Sequence, residues 1–314
     1  MPPSLQSLHI STPLSNFAQQ LPQGSFAAPF LLPVLPVEKE SDKFWKGGRE
    51  ELNDDVETER APGTPARTIN WDMTTGDYTA REHALSMYLP HRIINNADSP
   101  IRPQQRTVTK LRGKLDLRYE KRAKALVYGS GVTQKTIAQL SNGAQWGAAS
   151  GTKIEEDIFL AKEVVAGQIG RSPNRIVIPM QVAIKMAVSP ELLDLRKAWD
   201  QTLMVDGMLP STLWGMQLLI PGSLQNTANP GQAAAIDRLW TEDQVLLFYW
   251  EEPNLEYAGF GLTFRVRTAA GTDYMIKEWA DVPSYDADLL QASFIQDERV
   301  INPEAGVLIV NVLA

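Results

Sequence analysis

The run Arg102–Gly129, RPQQRTVTKLRGKLDLRYEKRAKALVYG, constrains this chain more than any other segment. Pro103 suits a first helical position, where its missing amide costs nothing, and Gly129 suits a stop. Between them Val108, Leu111, Leu115, Tyr119, Arg122 and Leu126 recur at steps of about three and four, a narrow stripe rather than a broad core face. A helix of roughly 26 residues spans about 39 Å. That is long for a compact enzyme and natural for a strut. Its charge is lopsided: Arg106, Lys110, Arg112, Lys114, Arg118, Lys121, Arg122 and Lys124 stand against Asp116 and Glu120. Taken alone such a helix is a solvated face. The order of elements around it changes that reading.

At 314 residues and 43% hydrophobic content the chain has material for about two domains and an ordinary core. Its net charge is −7, yet eight of its thirty Lys and Arg lie in the one helix, so the remaining surface is acidic. Bulk attraction to nucleic acid is not expected, although a local basic face is compatible with it. The absence of cysteine excludes disulfides, thiolate metal sites and cysteine nucleophiles. The first residues lack a basic segment followed by an apolar run, so no signal peptide is read there. The apolar stretch FAAPFLLPVLPV is broken by Pro29, Pro33 and Pro36, and no segment approaches the ~20 apolar residues of a membrane span. A soluble intracellular product with no membrane partner is expected.

Residues 1–37 carry seven prolines and no periodicity. They read as an extended arm whose apolar residues (Phe26, Phe30, Leu31, Leu32, Val34, Leu35) must lie on another surface, of the same subunit or a neighbour. Residues 37–90 alternate weakly and are highly charged, with Gly47-Gly48 and Ala61-Pro62-Gly63 as flexible points and Thr68–Trp71 as a returning strand. The simplest shape is a long two-stranded ribbon, marginal unless something lies beneath it. After the basic helix, 133–151 reads as a short helix then a loop. Ile154–Ile169 is an amphipathic helix with a capping box at Thr152 and Glu155. Arg175–Pro179 is a short buried strand. Met180–Val188 and Pro190–Ala198 are helices, and 201–245 is a mixture of short strands and turns. Strands follow at Val245–Trp250, Gly261–Arg267, Tyr274–Trp279, Leu289–Ile295 and Val307–Leu313.

No catalytic constellation emerges. Of three histidines (His9, His83, His91), none has a nucleophile motif beside it, and Gly129-Ser130-Gly131 has the wrong spacing for a nucleophile elbow. The carboxylate pairs Asp54-Asp55, Glu155-Glu156 and Glu251-Glu252 have no histidine at metal-ligand spacing; neither a metal nor a cofactor is expected. Arg171, Arg175, Arg196 and Lys197 resemble a phosphate patch but suit helix C-terminal complementation better. Trp45 and Trp71 in the ribbon read as a cross-strand pair, as anchors on a neighbour, or both.

Taken in order, the pieces resemble a tailed-phage major capsid protein of the Hong Kong 97 type over nearly the whole chain. The carrying segments are LLPVLPVEKESDKFWKGGREEL, APGTPARTINWDMTTGDYTAREHALSMYLP, the long helix, IEEDIFLAKEVVAGQIGRSPNRIVIP and SPELLDLRKAW. The resemblance implies an α+β Hong Kong 97-type capsid fold with an N-terminal arm (1–37), an extended β-hairpin loop (38–90), a spine-helix peripheral domain (91–130 and 253–303) and a compact axial domain (131–252 and 304–314).

It further implies pentamers and hexamers closing into an icosahedral shell around double-stranded DNA, assembled in the host cytoplasm and carried in the virion. The implied partners are other copies of the chain, a separate scaffolding protein, a portal protein, optionally a decoration protein, and non-specifically bound DNA. Arg106, Lys110, Arg112, Lys114, Arg118, Lys121 and Lys124 are the candidate lumen-facing or inter-subunit basic surface. Trp45, Glu50, Glu51, Asp54, Asp55 and Trp71 are the candidate ribbon contacts. Some members join subunits by a Lys–Asn isopeptide bond, for which Lys39, Lys43 or Lys46 with Asn302 stand available; surface lysines and a turn asparagine explain the same residues. An encapsulin-like shell around protein cargo is the alternative within the fold. A soluble α/β enzyme is the alternative outside it.

Overall fold

The computed structural model describes residues 9–10, 26–46, 55, 58–60, 62–63, 65–68, 74–97, 102–129, 131–136, 145–146, 153–192, 209–229, 231–241, 243–254, 259–267, 273–282 and 284–313. The strands are β1 (His9–Ile10), β2 (Val34–Val37), β3 (Ser41–Lys46), β4 (Thr74–Thr79), β5 (Arg81–Pro90), β6 (Thr133–Thr136), β7 (Arg175–Val177), β8 (Thr212–Leu213), β9 (Met216–Leu219), β10 (Leu224–Asn226), β11 (Ile236–Arg238), β12 (Gln244–Phe248), β13 (Gly261–Val266), β14 (Met275–Val282), β15 (Ala287–Val300) and β16 (Gly306–Val310). The helices are α1 (Ala28–Leu31), α2 (His91–Asn95), the spine helix α3 (Pro103–Val127), α4 (Ile154–Ile169) and α5 (Met180–Val188).

Two six-stranded sheets organise the molecule. The first runs β1-β14-β15-β13-β2, with β5 also paired to β15. Its axis is the 14-residue β15, too long to be covered by one partner, so β14 and β13 share its length while β5 pairs with Ala287–Gln296. The spine helix lies on this sheet. Val108, Leu111 and Leu115 pack against Leu89, Tyr274, Ile276, Leu290, Ala292 and Phe294. The second sheet runs β6-β16-β12-β7-β9-β8. Ile154, Ile158, Ala161 and Val165 of α4 and Val182, Ala183 and Met186 of α5 bury against Ile176, Val245, Leu247, Val307 and Ile309. The spacing of those α4 residues is the three-and-four period of the sequence, and Gly170 ends the helix at φ 68°, a left-handed value that suits glycine.

Several expectations are corrected. The described returning strand of the ribbon is β4, with Trp45 opposite Thr75 in the register; Ile69–Trp71, where a returning strand is expected, lie outside the described residues. The segment 81–90, assigned to the extended loop, is β5 of the long sheet, paired residue for residue with β15. Thr133–Thr136 is a strand parallel to β16 rather than a helix. The residue before α4 is Lys153, with no side-chain cap; the Glu191 carboxylate instead accepts from the Ile154 and Glu155 amides at 2.8 and 3.0 Å. A cap borrowed from 36 residues away leaves no local signature.

The junction that carries the arm, ribbon and spine helix

The spine helix carries two kinds of charge. On its inner side the Arg112 Nε lies 3.3 Å from Asp116 Oδ2, and both side chains are almost wholly buried. Asp116 also accepts the Tyr274 hydroxyl, and Arg112 stacks over the Tyr274 ring at 4.8 Å. Burial raises the Asp116 carboxyl above its ordinary value despite these partners, and it pushes Tyr274 up to about 12. One turn on, the Tyr119 hydroxyl lies 2.7 Å from Thr263 Oγ1. Arg122 then donates twice to Glu298 Oε1, at 3.1 and 2.7 Å. Gln296 links Glu298 to the buried Arg265, whose Nε and Nη2 both donate to Gln296 Oε1. This polar ladder fixes the helix to β13 and β15 in one register, because buried charges tolerate only their own partners.

Glu120 is the joint of the molecule. Fully buried, its carboxylate accepts the Ala27 amide at 2.8 Å, the Ala28 amide at 2.7 Å, the Trp240 indole N–H at 2.7 Å and the Ser223 hydroxyl at 3.4 Å. One side chain thus ties the first turn of α1, the spine helix and the 223–240 segment. Around it Ala27, Ala28, Leu31 and Leu32 bury among Ala123, Val127, Trp240, Phe248 and Phe260. The apolar end of the arm is therefore satisfied by its own subunit, one of the two expected surfaces. Burial lifts Glu120 above its ordinary value and outweighs the four donors, which act oppositely.

The described base of the ribbon also has a core. Phe44 of β3 and Tyr78 of β4 sit on Phe264 of β13, with ring centroids 5.1 and 4.4 Å apart. Leu35, Val37, Ala80, Leu262 and Ile301 complete the cluster. Sheet and ribbon are thus continuous at the root. Of the expected ribbon contacts, Asp55 is exposed and Trp45 lies in β3. Glu50, Glu51, Asp54 and Trp71 lie outside the described residues, as do Gly47-Gly48, Thr152, Arg196 and Lys197.

The outer side of the spine helix carries the expected basic surface with one correction. Arg106, Lys110, Lys114 and Arg118 are exposed and Lys121 is half-buried; their spacing of four, four, four and three lines them along one stripe. Arg112 does not join them. It is 4% exposed and bound to Asp116. Lys124 lies at the margin and donates to the Leu239 carbonyl at 2.6 Å. Sequence reading missed Asp116 and Glu120 as structural groups, although a signal existed: the only two acids of a basic helix stand four apart, beside the apolar stripe residues Leu115 and Tyr119.

The remaining candidates have structural roles. Arg175 is sandwiched between Phe30 at 4.2 Å and Trp250 at 3.7 Å and donates to the Phe30 carbonyl. Arg171 donates to the Tyr249 hydroxyl. Asn302 accepts the Glu304 amide as the cap of a short 3-10 turn. Among the described residues no group of three or more His, Cys, Asp or Glu is placed to hold a metal ion, and no helix is long and apolar enough to cross a membrane.

No family model matches the chain. It is 28% identical over 196 residues to the major capsid protein of Burkholderia phage BcepMu, covering 60% of this chain and 62% of that one. It is 23% identical over 237 residues to the major capsid protein of Pseudomonas phage JBD67, covering 74% of each. The chain thus matches less than two thirds of the BcepMu relative's length. Among solved structures, a phage-related protein from Bordetella bronchiseptica RB50 superposes with a TM-score of 0.72 at 19% identity, over 97% of this chain and 98% of that one. The capsid of cyanophage P-SCSP1u gives 0.62 at 14% identity, over 90% and 87%. An encapsulin from Synechococcus elongatus gives 0.53 at 12%, over 93% and 90%. The fold is that of the Hong Kong 97-type capsid proteins, an α+β architecture. By sequence and by fold the chain is similar to tailed-phage major capsid proteins.

Proposed function

We propose that this chain is the major capsid protein of a tailed phage, a subunit that closes with its copies into an icosahedral shell enclosing double-stranded DNA. The observation that carries the reading is the junction at Glu120 and Phe264. Arm, ribbon and spine helix are rooted in a stiff, buried framework, which is what a subunit needs if its extensions are to reach neighbours in fixed directions. The likeness to phage capsid proteins in sequence supports the same reading. In it, 26–37 closes the arm onto its own subunit, 38–80 is the reaching ribbon, the first sheet with the spine helix is the peripheral domain, and the second sheet with α4 and α5 is the axial domain. Scaffolding and portal proteins are the expected assembly partners, and the virion is the destination.

The stripe Arg106, Lys110, Lys114, Arg118 and Lys121 is proposed to face either the packaged DNA or the acidic ribbon of a neighbour. Single exposed pairs contribute only ~0–1 kcal/mol, so either role depends on many copies acting together. An encapsulin-like compartment is the second reading, favoured by the encapsulin superposition alone. Size-exclusion chromatography with negative-stain microscopy tests the shell. Rings or shells are expected from the purified chain, and nucleic acid rather than protein inside filled particles separates the two readings. A chain that stays monomeric at micromolar concentration contradicts both.

A further inference from the structure

The turn between β14 and β15 is held against α2 by one histidine, in a bonding pattern that its neutral form does not complete. His91 opens α2 directly after β5. Its Nδ1 lies 3.1 Å from Asp286 Oδ1 and its Nε2 lies 2.9 Å from Asp288 Oδ1. Its amide donates to the Asp286 carbonyl at 3.0 Å. A neutral imidazole has one N–H and one lone pair, so it donates to one carboxylate and turns the lone pair on the other. The imidazolium donates to both, and each bond is then charge-assisted and about twice as strong as a neutral one. Two carboxylates on two ring nitrogens are the surroundings of a protonated ring.

The turn so held is strained. Asp281 has φ 51° and Asp286 φ 44°, left-handed values that a residue with a side chain adopts at a cost. Asp281 sits where the β14–β15 register shifts, between Trp279 and Val282, and its amide donates to Asp288 Oδ1 at 3.0 Å. That oxygen thus joins the bulge to the His91 ring. Burial acts to raise Asp288, but the Asp281 amide and His91 outweigh it and hold the carboxyl below its ordinary value. The bonds to Asp288 and Asp286 raise His91 above its own, against a smaller effect of burial. The other charged groups around the ring are Arg92 on its own helix and Glu278 on β14, the latter held by Gln104 of the spine helix at 3.2 Å. A cleft of about 750 Å³ opens beside His91, with room for the ring to swing away.

We infer that His91 is a proton-operated latch: as the imidazolium it clamps the β14–β15 turn to α2 and keeps Asp281 and Asp286 in their left-handed conformations, and as the neutral ring it lets one aspartate go, so that the turn relaxes. The element with two states is the turn, and the proton is the ligand that distinguishes them. Tyr285 stacks on Tyr88 with centroids 4.3 Å apart, a tie between turn and β5 that is independent of the imidazole. Opening the latch therefore loosens the turn without detaching it. The pH sense follows from the raised histidine. The latch is fully closed below the ordinary histidine value of about 6.5 and opens as pH rises through the higher folded value. It lies within one subunit and does not depend on the shell reading.

The test is histidine C2-hydrogen exchange read by mass spectrometry on the full chain from about pH 5 to 9, which gives each imidazole its midpoint in particles of any size. Amide exchange is measured on the same samples. The expected result is a His91 midpoint above about 6.5, while His83, lowered by burial and Arg122, titrates below it. Amide protection over 281–291, corrected for the intrinsic rate, should fall about tenfold or more as His91 deprotonates, with α4 unchanged. His91→Gln, which carries no proton, should show the low protection at every pH. Asp286→Asn removes one charge from a side chain that is 86% exposed, and should lower the His91 midpoint and the loss of protection together. That variant keeps the test open should His91→Gln not fold. A His91 midpoint at or below about 6.5, turn protection that does not follow it, or a pH dependence that survives in His91→Gln overturns the latch.

Discussion

Two buried carboxylates, Glu120 and Asp116, determine more of this molecule than any stretch of its hydrophobic pattern. Glu120 accepts four donors, so Glu120→Gln replaces one accepting oxygen with an amide that faces the Ala28 N–H. An unmet buried donor costs about 1–3 kcal/mol. Denaturant melts should show a loss of that size, with hydrogen exchange faster at 27–37 than in α4. Because the folded value of Glu120 is raised, its contribution to stability is full below about 4.5 and is lost as pH rises through that higher value. The Gln variant should therefore show a flatter stability–pH profile above pH 4.5. Removing Arg112 strands Asp116, so Arg112→Ala should cost about 3–5 kcal/mol in the same melts.

Among the elements, the spine helix best shows how a surface function and a core function share one sequence. With Arg112 reassigned to the core, the proper charge reversal is Lys110→Glu/Lys114→Glu/Arg118→Glu. All three side chains are exposed, so the subunit's melting temperature should change little while nucleic-acid content or particle yield falls. Normal particles with full nucleic-acid content would remove the stripe from the functional account.

The helix itself was legible from Pro103 to its end, because the apolar stripe, the start signal at Pro103 and the stop signal at Gly129 are local. The same holds for α4, α5 and β12, whose apolar residues follow their own periods. What was hidden was long-range. The Glu191 cap reaches back 36 residues, β6 finds its partner in β16 at the far end of the chain, and β5 looks like ribbon until its pairing with β15 is seen. In the candidate site the basic stripe was visible. Which of its members turned inward was not, since inward charges follow from partners such as Tyr274 and Glu298 that lie far along the chain.

For the whole molecule, the two sheets differ in how they can respond to strain. The second is packed on both helices through a continuous core from Trp146 to Val312, whereas the ribbon is held at its root by Phe44, Tyr78 and Phe264. A packed core changes shape in discrete steps, while a two-stranded ribbon bends at low cost. If the particle matures by expansion, hydrogen exchange should change in 38–80 and along the spine helix rather than in α4 and α5; changes concentrated in 154–188 would reverse that division. The central claim, that this framework exists to join copies of itself, is tested most directly by cryo-electron microscopy of the purified full-length chain. The account predicts closed shells, or pentameric and hexameric rings, in which residues 38–80 of one subunit lie over its neighbour. Monodisperse single subunits at micromolar concentration, with the ribbon folded back on its own sheet, would contradict it.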